Sequence, residues 1–233
     1  FKIMNLTENT IVADIRNSAT SGSNPTDFRI EDSQIKFWVN QTRALLIAQS
    51  IQKRKDISDT WLQNLSCLEL VEVDKSECCE ITTNCKILRT VRQIPDTIET
   101  SADNFIVRVE ALNGDIISKT TAFESKYGVY SKYTSNKPKW YLKNNYIYII
   151  NNEYLDKINV WAIFEDPSKL MAFTTCEGST CYSPNQPYPC SFQMASDITN
   201  IVLKTKVNPF IQMPRDTTNN SNDSFDQAVQ VKN

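Results

Sequence analysis

Seven cysteines are the residues of this chain with the most varied chemistry, because a thiolate can bind a metal, form a disulfide or act as a nucleophile. They form two groups and one isolated residue: Cys78, Cys79 and Cys85, then Cys176, Cys181 and Cys190, with Cys67 apart. Three states stay open at this point: a thiolate zinc site, disulfides such as Cys176–Cys181, or free thiols. The spacings C-C-x5-C and C-x4-C-x8-C differ from the paired CxxC pattern of zinc knuckles, and the odd count leaves at least one thiol free or paired between chains.

The rest of the composition argues against an enzyme. The chain has no histidine, which is the commonest general base and the residue that most often activates a thiol, and its four glycines form no phosphate-binding loop. The carboxylates of Glu69 and Glu72 would point to opposite faces of a strand, and Glu165-Asp166 before a proline is typical of a turn and helix cap. These pairs therefore do not suit a carboxylate-dependent hydrolase. We predict no catalytic, cofactor-binding or metal-binding residues.

Length and charge limit the remaining classes of protein. The 233 residues are 40% hydrophobic and 22% charged, which is a globular composition with enough length for one sizeable core. The net charge of −2 provides no general attraction for nucleic acid. No run approaches the roughly 20 apolar residues of a membrane span, and the first residues lack the features of a secretory signal. We therefore expect synthesis in the cytoplasm and no membrane partner.

Two segments with helical periodicity precede the cysteine groups. The first is predicted over 8–18, with Thr7 as its cap and with Ile11, Val12 and Ile15 facing inward. The second is predicted over 32–55, with Asp32 or Ser33 as its cap. The second segment has apolar residues on two predicted faces: Ile35, Trp38, Leu45 and Leu46 on one, and Phe37, Ala44, Ala48 and Ile51 on the other. A helix of a small domain normally has one apolar stripe. The second face therefore predicts contact with neighbouring copies of the same chain.

After Ser66 the hydrophobic period changes to about two, which indicates strands. Strands are predicted over 67–73, 87–94, 104–112, 116–121, 128–133, 140–143, 146–150 and 157–164. Asn113-Gly114 and Asn144-Asn145 are typical of tight hairpin turns, so we expect an antiparallel domain. The many aromatic residues of these strands favour core and cross-strand packing, and a sugar-stacking platform is the alternative.

The carboxyl-terminal part predicts one more helix and a tail. The helix is expected over 197–207, with Ser196 as its cap and Asn208-Pro209 at its end. Beyond it the residues are too polar to fold alone. The predicted fold is α+β: an N-terminal helical pair, an antiparallel β domain, a C-terminal helix and an extended tail. The expected regions are a helical part (1–66), the β domain (67–175), a Cys-rich loop with the helix (176–208) and the tail (209–233).

Four segments together resemble the head-to-tail connector proteins of crAss-like bacteriophages, which act as portal adaptors or neck rings. They are I-x-x-W-V-N-Q-T-R-A-L-L-I (35–47), C-L-E-L-V-E-V-D (67–74), K-I-L-R-T (86–90) and V-W-A-I-F-E-D-P (160–167). Each segment is weak evidence by itself, but their order and spacing cover most of residues 8–170.

The resemblance implies a structural component of the virion neck or tail with no cofactor. Such a protein would form a homo-oligomeric ring, typically of twelve copies, in contact with the portal protein and the next neck or tail ring protein. Genomic DNA would pass through its channel without specific recognition. The expected ring-interface residues are Ile35, Phe37, Trp38, Gln41, Leu45, Ala48 and Ile51, and those expected to dock the tail are Phe210, Ile211, Phe225 and Val229.

A secreted β-rich module that binds a glycan or a protein is the alternative function. It would be a monomer with an exposed aromatic platform and paired disulfides. This alternative leaves the second apolar face of the 32–55 helix unexplained.

Overall fold

The computed structural model describes residues 6–20, 30–53, 56–73, 87–99, 104–121, 123–124, 137–152 and 154–211. The elements before the sheet are α1 (Glu8–Thr20), α2 (Asp32–Gln52) and a 3-10 helix (Asp59–Trp61). The strands are β1 (Gln63–Val73), β2 (Ile87–Thr90), β3 (Ile106–Ala111), β4 (Ile116–Lys119), β5 (Lys139–Lys143), β6 (Tyr146–Ile150) and β7 (Lys157–Ala162). After them come a 3-10 helix (Pro167–Ala172), α3 (Phe192–Val202), a π-helical turn (Leu203–Val207) and a short helix (Asn208–Ile211).

The strands of the described chain close into a barrel in the order β1-β2-β6-β5-β4-β3-β7, with β7 pairing back to β1. The predicted α+β class agrees with this architecture. The prediction of a purely antiparallel sheet was wrong, because β4 and β5 run parallel, with Ser118 opposite Lys139. Parallel neighbours need a connection of about a dozen or more residues, and residues 120–138 separate the two strands in the sequence.

Both predicted hairpin turns are confirmed. Asn144 and Asn145 join β5 to β6 with φ angles of +51° and +61°, the left-handed pair that a type I′ turn requires. Gly114, in the turn from β3 to β4, has a φ angle of +88°. At these positions, Asn and Gly relieve the steric cost that other residues would meet.

Strand ends differ from the prediction where the alternation is interrupted. β1 begins at Gln63 rather than at 67, because a bulge between Leu65 and Leu68 shifts its register against β7 and hides the earlier alternation. Cys67 lies in this bulge with a φ angle of +58°. β2 ends at Thr90 and β7 at Ala162, earlier than predicted. The strand predicted over 128–133 lies outside the described residues.

The chain has a helical core and a barrel core. In the helical core, α1, α2 and α3 pack pairwise against one another, and the predicted inward residues Ile11, Val12 and Ile15 are confirmed as buried. The barrel core is filled by inward side chains of the strands, mainly β-branched and leucine residues such as Leu65, Val109 and Ile149. The helical layer and the barrel thus each have their own apolar core.

The C-terminal helical segment, which comprises α3, the π-helical turn and the short helix, extends beyond the predicted range of 197–207 at both ends. α3 begins at Phe192 with Ser191 as its cap, whose hydroxyl accepts a hydrogen bond from the backbone N–H of Met194 at 3.3 Å, so Ser196 is not the cap. The predicted end at Asn208-Pro209 is also wrong, because a short helix (Asn208–Ile211) follows the π-helical turn. That wider turn relieves the clash between a proline ring and the preceding carbonyl groups.

The start of the predicted extended tail is therefore helical. Phe210 and Ile211 belong to the short helix. The other two predicted docking residues, Phe225 and Val229, lie outside the described part of the chain.

Candidate functional site

The outer face of α2 carries a stripe of exposed side chains at Phe37, Gln41 and Leu45, which we call the α2 stripe. These residues are spaced four apart, so they lie one above the other along the same side of the helix. Phe37 is 63% exposed and Leu45 is 56% exposed, although both are large and apolar. The buried residues of α2 lie on the other side, against α1 and α3. An apolar stripe left open by its own chain is typical of a protein–protein contact.

The other predicted interface residues are not equally available. Ile35 is fully buried in the helical core among residues of α1 and α3, so it presents no surface of its own outside the chain. Trp38, Ala48 and Ile51 are half-buried and pack against the same core. The sequence prediction divided α2 into two faces that do not match the structure. Ile35 points inward, whereas Leu45, assigned to the same face, points outward.

Arg43, on the inner side of α2, is fully buried and connects the helical layer to the barrel. Its Nε donates to the carbonyl oxygen of Pro189 at 2.7 Å, and its Nη1 donates to that of Phe164 at 2.8 Å. The guanidinium also lies 5.8 Å from the centre of the Tyr188 ring. Burial lowers the pKa of Arg43, although arginine keeps its charge in proteins. Its planar fork lets one side chain join three separate segments.

A chain of hydrogen bonds begins at Tyr188, beside this arginine, and reaches Asp166 at the end of the barrel. The Tyr188 hydroxyl donates to Asn40 Oδ1 at 2.5 Å, and Asn40 Nδ2 donates to Asp166 Oδ1 at 3.0 Å. Asp166 Oδ1 also accepts from the backbone N–H of Ser168 at 2.9 Å, which confirms the predicted cap. We call Arg43, Tyr188, Asn40 and Asp166 the junction cluster. It orients α2, and hence the α2 stripe, relative to the barrel.

Sequence reasoning missed the junction cluster, although Asn40 and Arg43 were part of the motif over 35–47. The available signal was their spacing of three, which puts two polar side chains on the inward side of an otherwise apolar helix. Buried polar groups are normally hydrogen-bonded, so such a pair predicts partners elsewhere in the fold.

Glu8 is a second buried polar residue near this junction, and it is 1% exposed. The Tyr182 hydroxyl lies 3.5 Å from Glu8 Oε2, at the limit of a hydrogen bond. Burial raises the pKa of the Glu8 carboxyl; Lys36 acts in the opposite direction and Asp166 adds to the increase. The folded protein therefore holds this proton more tightly than the unfolded chain does.

Glu8 should make the stability of the protein depend on pH. The free energy of unfolding should fall as the pH rises from the ordinary carboxyl value of 4.5 through the higher pKa of the folded state, because ionising a buried group is costly. Glu8→Gln should flatten this part of the profile, with urea midpoints measured from about pH 4 to pH 8. Glu69→Gln, which changes an exposed carboxylate, is the control. An unchanged slope in Glu8→Gln would contradict the assignment.

One cysteine pair is bonded in the described residues. Cys67, in the β1 bulge, forms a disulfide with Cys176, with a Cα–Cα distance of 5.2 Å. The Cys176–Cys181 pairing, one of the alternatives that the sequence left open, does not form: Cys181 and Cys190 are free thiols, and burial raises the pKa of Cys190 to about 11. Cys78, Cys79 and Cys85 lie outside the described part. Within that part, no three His, Cys, Asp or Glu side chains come together to hold a metal ion.

Breaking this disulfide should lower the stability of the protein. It joins residues 109 apart in sequence, so Cys67→Ser or Cys176→Ser should reduce the free energy of unfolding by about 2–4 kcal/mol through the larger entropy of the unfolded chain. Cys181→Ser is the matched control, and urea denaturation without reductant provides the measurement. If Cys181→Ser were destabilising and Cys67→Ser were not, the disulfide would join Cys176 to Cys181 instead of to Cys67.

The other residues considered for chemistry or sugar binding, a strand carboxylate and two strand aromatics, make contacts within the fold. The Glu69 carboxylate lies 3.7 Å from Lys157 Nζ on the outside of the barrel, where the Glu69 side chain is largely exposed and that of Lys157 is partly exposed. Tyr141 and Tyr148, opposite each other on β5 and β6, are buried and stacked with ring centres 5.1 Å apart. The prediction of cross-strand packing is confirmed for this pair. It leaves these two rings unavailable for stacking on a sugar.

A known protein family matches almost the whole chain. Residues 10–227 match a family model described as phage tail ring protein 2, one of the crAss ring families. The match includes α1 from Thr10 onward, the α2 stripe, the junction cluster and the barrel. No curated protein matches the chain. No helix of the described ranges has the length and hydropathy needed to cross a membrane.

Proposed function

Because this chain belongs to the phage tail ring protein 2 family of crAss-like phages, we propose that it assembles into a closed ring that joins the portal to the tail. Family membership makes it a structural protein of the phage tail or neck, and hence a component of the virion that assembles with other virion proteins. The proposed ring contains twelve copies and leaves an axial channel for DNA. In this arrangement the helical region 1–66 provides the ring contacts and the β domain 67–175 supports it.

The observation that carries the proposal is the exposed α2 stripe on a protein of a ring family. Phe37 and Leu45 leave large apolar surfaces in water that a neighbouring copy would cover. Gln41 between them supplies an amide for a hydrogen bond across the contact. Half-buried Trp38, Ala48 and Ile51 border the stripe in this proposal, and Ile35 supports it from inside.

Two further contacts belong to the proposed function. The tail of residues 209–233 would dock on the portal or on the next ring, with Phe210, Ile211, Phe225 and Val229 as apolar anchors. Genomic DNA would slide through the channel, since a net charge of −2 gives no strong hold on its phosphates. Synthesis would take place in the host cytoplasm before the virion is assembled.

The mass of the purified assembly tests this proposal. Native mass spectrometry of the protein, alone and with its portal protein, should detect a discrete closed oligomer of twelve copies, and the complex should contain both proteins. A bovine serum albumin mixture with the portal is the control for non-specific association. A protein that stays monomeric with and without the portal would contradict the proposal.

A further inference from the structure

A groove on the helical layer is bordered by α1 and α3. Its apolar lining residues are Leu6, Ile11, Phe192 and Ala195, with Phe192 at the start of the α3 border, which is the apolar end. Its polar lining residues are Asp14, Ser196, Thr199 and Asn200, with Asn200 at the other end of the α3 border. The groove has a volume of about 200 Å³, below the range of about 300–1,000 Å³ that is usual for small-molecule sites. It therefore suits side chains of another protein better than a free ligand.

The groove and the α2 stripe lie on different sides of the helical layer. The three helices pack pairwise, and the buried face of α2 points toward α1 and α3. The stripe is on the opposite face of α2, whereas the described lining of the groove comes from α1, α3 and Leu6. One molecule therefore cannot place its own stripe in its own groove. A second molecule, related by a rotation, can do so.

A ring needs two different contact surfaces on each copy. Copies that assemble head to tail bind through these two surfaces, and the contact closes into a ring when the rotation permits. Two identical surfaces that meet would instead give a two-fold dimer and stop there. A stripe on one side and a groove on the other meet the requirement for a ring.

The two surfaces also agree in length and polarity. The stripe extends over nine residues from Phe37 to Leu45, and the α3 border extends over nine residues from Phe192 to Asn200, which is eight steps along the helix in each case. At 1.5 Å per residue, each surface is about 12 Å long. The groove offers an apolar end beside Phe192, which is 71% exposed, and hydrogen-bonding groups at the other end. An apolar stripe with a central amide complements such a groove.

A second groove, between α2 and α3, is less suitable. It is larger, about 400 Å³, but α2 itself forms one of its walls, and three charged residues, Lys53, Asp56 and Asp197, line it, whereas the α1–α3 groove has the single carboxylate of Asp14. Burying an apolar side chain among these charges would remove water from them without supplying partners. Because α2 contributes to both surfaces, this groove and the stripe are also less well separated than a head-to-tail contact requires.

We propose that the α1–α3 groove of each copy receives the α2 stripe of the neighbouring copy. This inference rests on the proposed ring and names the receiving surface within it. Phe37 or Leu45 enters the apolar end beside Phe192, and Gln41 meets polar groups of α3.

Complementation between two defective variants tests the pairing of these surfaces. The stripe variant carries Phe37→Asp and Leu45→Asp, and the groove variants carry Ser196→Arg or Asn200→Arg at exposed positions of α3. Each variant alone should be monomeric. An equimolar mixture should form a heterodimer, because the intact stripe of the groove variant fits the intact groove of the stripe variant. The mixture cannot form a ring, since the other two surfaces are both blocked.

The matched control is Gln193→Arg, which changes an exposed residue of the same helix in the α2–α3 groove and should assemble like the wild type. Light scattering after gel filtration measures the masses, and far-UV circular dichroism verifies folding of both groove variants. Rings of either folded groove variant, a mixture that stays monomeric, or loss of rings in Gln193→Arg would each overturn the inference. Failure of the wild-type protein to form a ring would instead overturn the proposed function.

Discussion

Phe37→Asp together with Leu45→Asp is expected to leave the protein folded and to abolish the ring. Both side chains are mostly exposed in the single chain, so the substitutions should change the free energy of unfolding by less than about 1 kcal/mol. In the assembled ring the same positions would bury two carboxylates per contact without partners, which is costly. Because the contact recurs at every joint, we expect monomers at concentrations where the wild-type protein forms rings. Native mass spectrometry provides the measurement.

Ile116→Asp is the control for the general effect of an added charge. Ile116 is 67% exposed on β4 of the barrel, which is comparable to Phe37. In our proposal, the ring contact belongs to the helical layer, so Ile116→Asp should form rings. If the Phe37 and Leu45 variant assembled as the wild type does, the α2 stripe would not be the ring interface.

Trp38→Asp would be a poor substitute for this experiment. Trp38 is half-buried and packs against the helical core, so a carboxylate there should destabilise the chain itself. Lost assembly in Trp38→Asp could follow from that damage alone. The exposed positions 37 and 45 separate assembly from folding.

Arg43→Met is expected to reduce the free energy of unfolding by about 2–5 kcal/mol. The substitution keeps an apolar stem but leaves the carbonyl oxygens of Phe164 and Pro189 without their donor, and each unsatisfied buried acceptor costs about 1–3 kcal/mol. Replacing both members of a buried ion pair by apolar residues is often tolerated, because no polar group is then left without a partner. Arg43→Met differs, because the acceptors are backbone carbonyl groups that the substitution cannot remove. The loss is a large part of the roughly 5–15 kcal/mol that holds a typical domain together.

Urea denaturation followed by tryptophan fluorescence measures this effect. Arg16→Met is the matched control, because Arg16 is a partly exposed arginine whose guanidinium pairs with Asp32 on the surface. Its loss should cost about 1 kcal/mol or less. Arg43→Lys should also be destabilising, since one ammonium group cannot reach both carbonyls in the geometry of a guanidinium fork. Equal urea midpoints for Arg43→Met and the wild type would contradict the role of the junction cluster.

Local features of the fold could be predicted well from the sequence. The turn Asn144-Asn145 was predictable because these residues tolerate the left-handed backbone that a type I′ turn needs. The inward side of α1 was predictable because Ile11, Val12 and Ile15 follow the helical period. The start of β1 was not, since the bulge at Cys67 interrupts the alternation on which strand prediction depends.

The candidate site could be predicted only in part. Phe37 and Leu45 were both named from the sequence, but they were assigned to different faces of α2. Periodicity states which residues share a side of a helix, but it does not state which side the rest of the fold covers. Ile35 and Leu45 are both apolar, and only the positions of α1 and α3 decide that the first is buried and the second exposed.

The sequence by itself determined the class of fold, the hairpin turns and an apolar excess on α2, because each depends on residues close together in the chain. Only the tertiary structure decided the partner of Cys176, the parallel pairing of β4 with β5 and the carbonyl groups that hold Arg43. The disulfide and the Arg43 hydrogen bonds join residues more than 100 positions apart, and the parallel pair joins two strands that residues 120–138 separate in the sequence. Local periodicity carries no information about such meetings, since they follow from how whole layers pack.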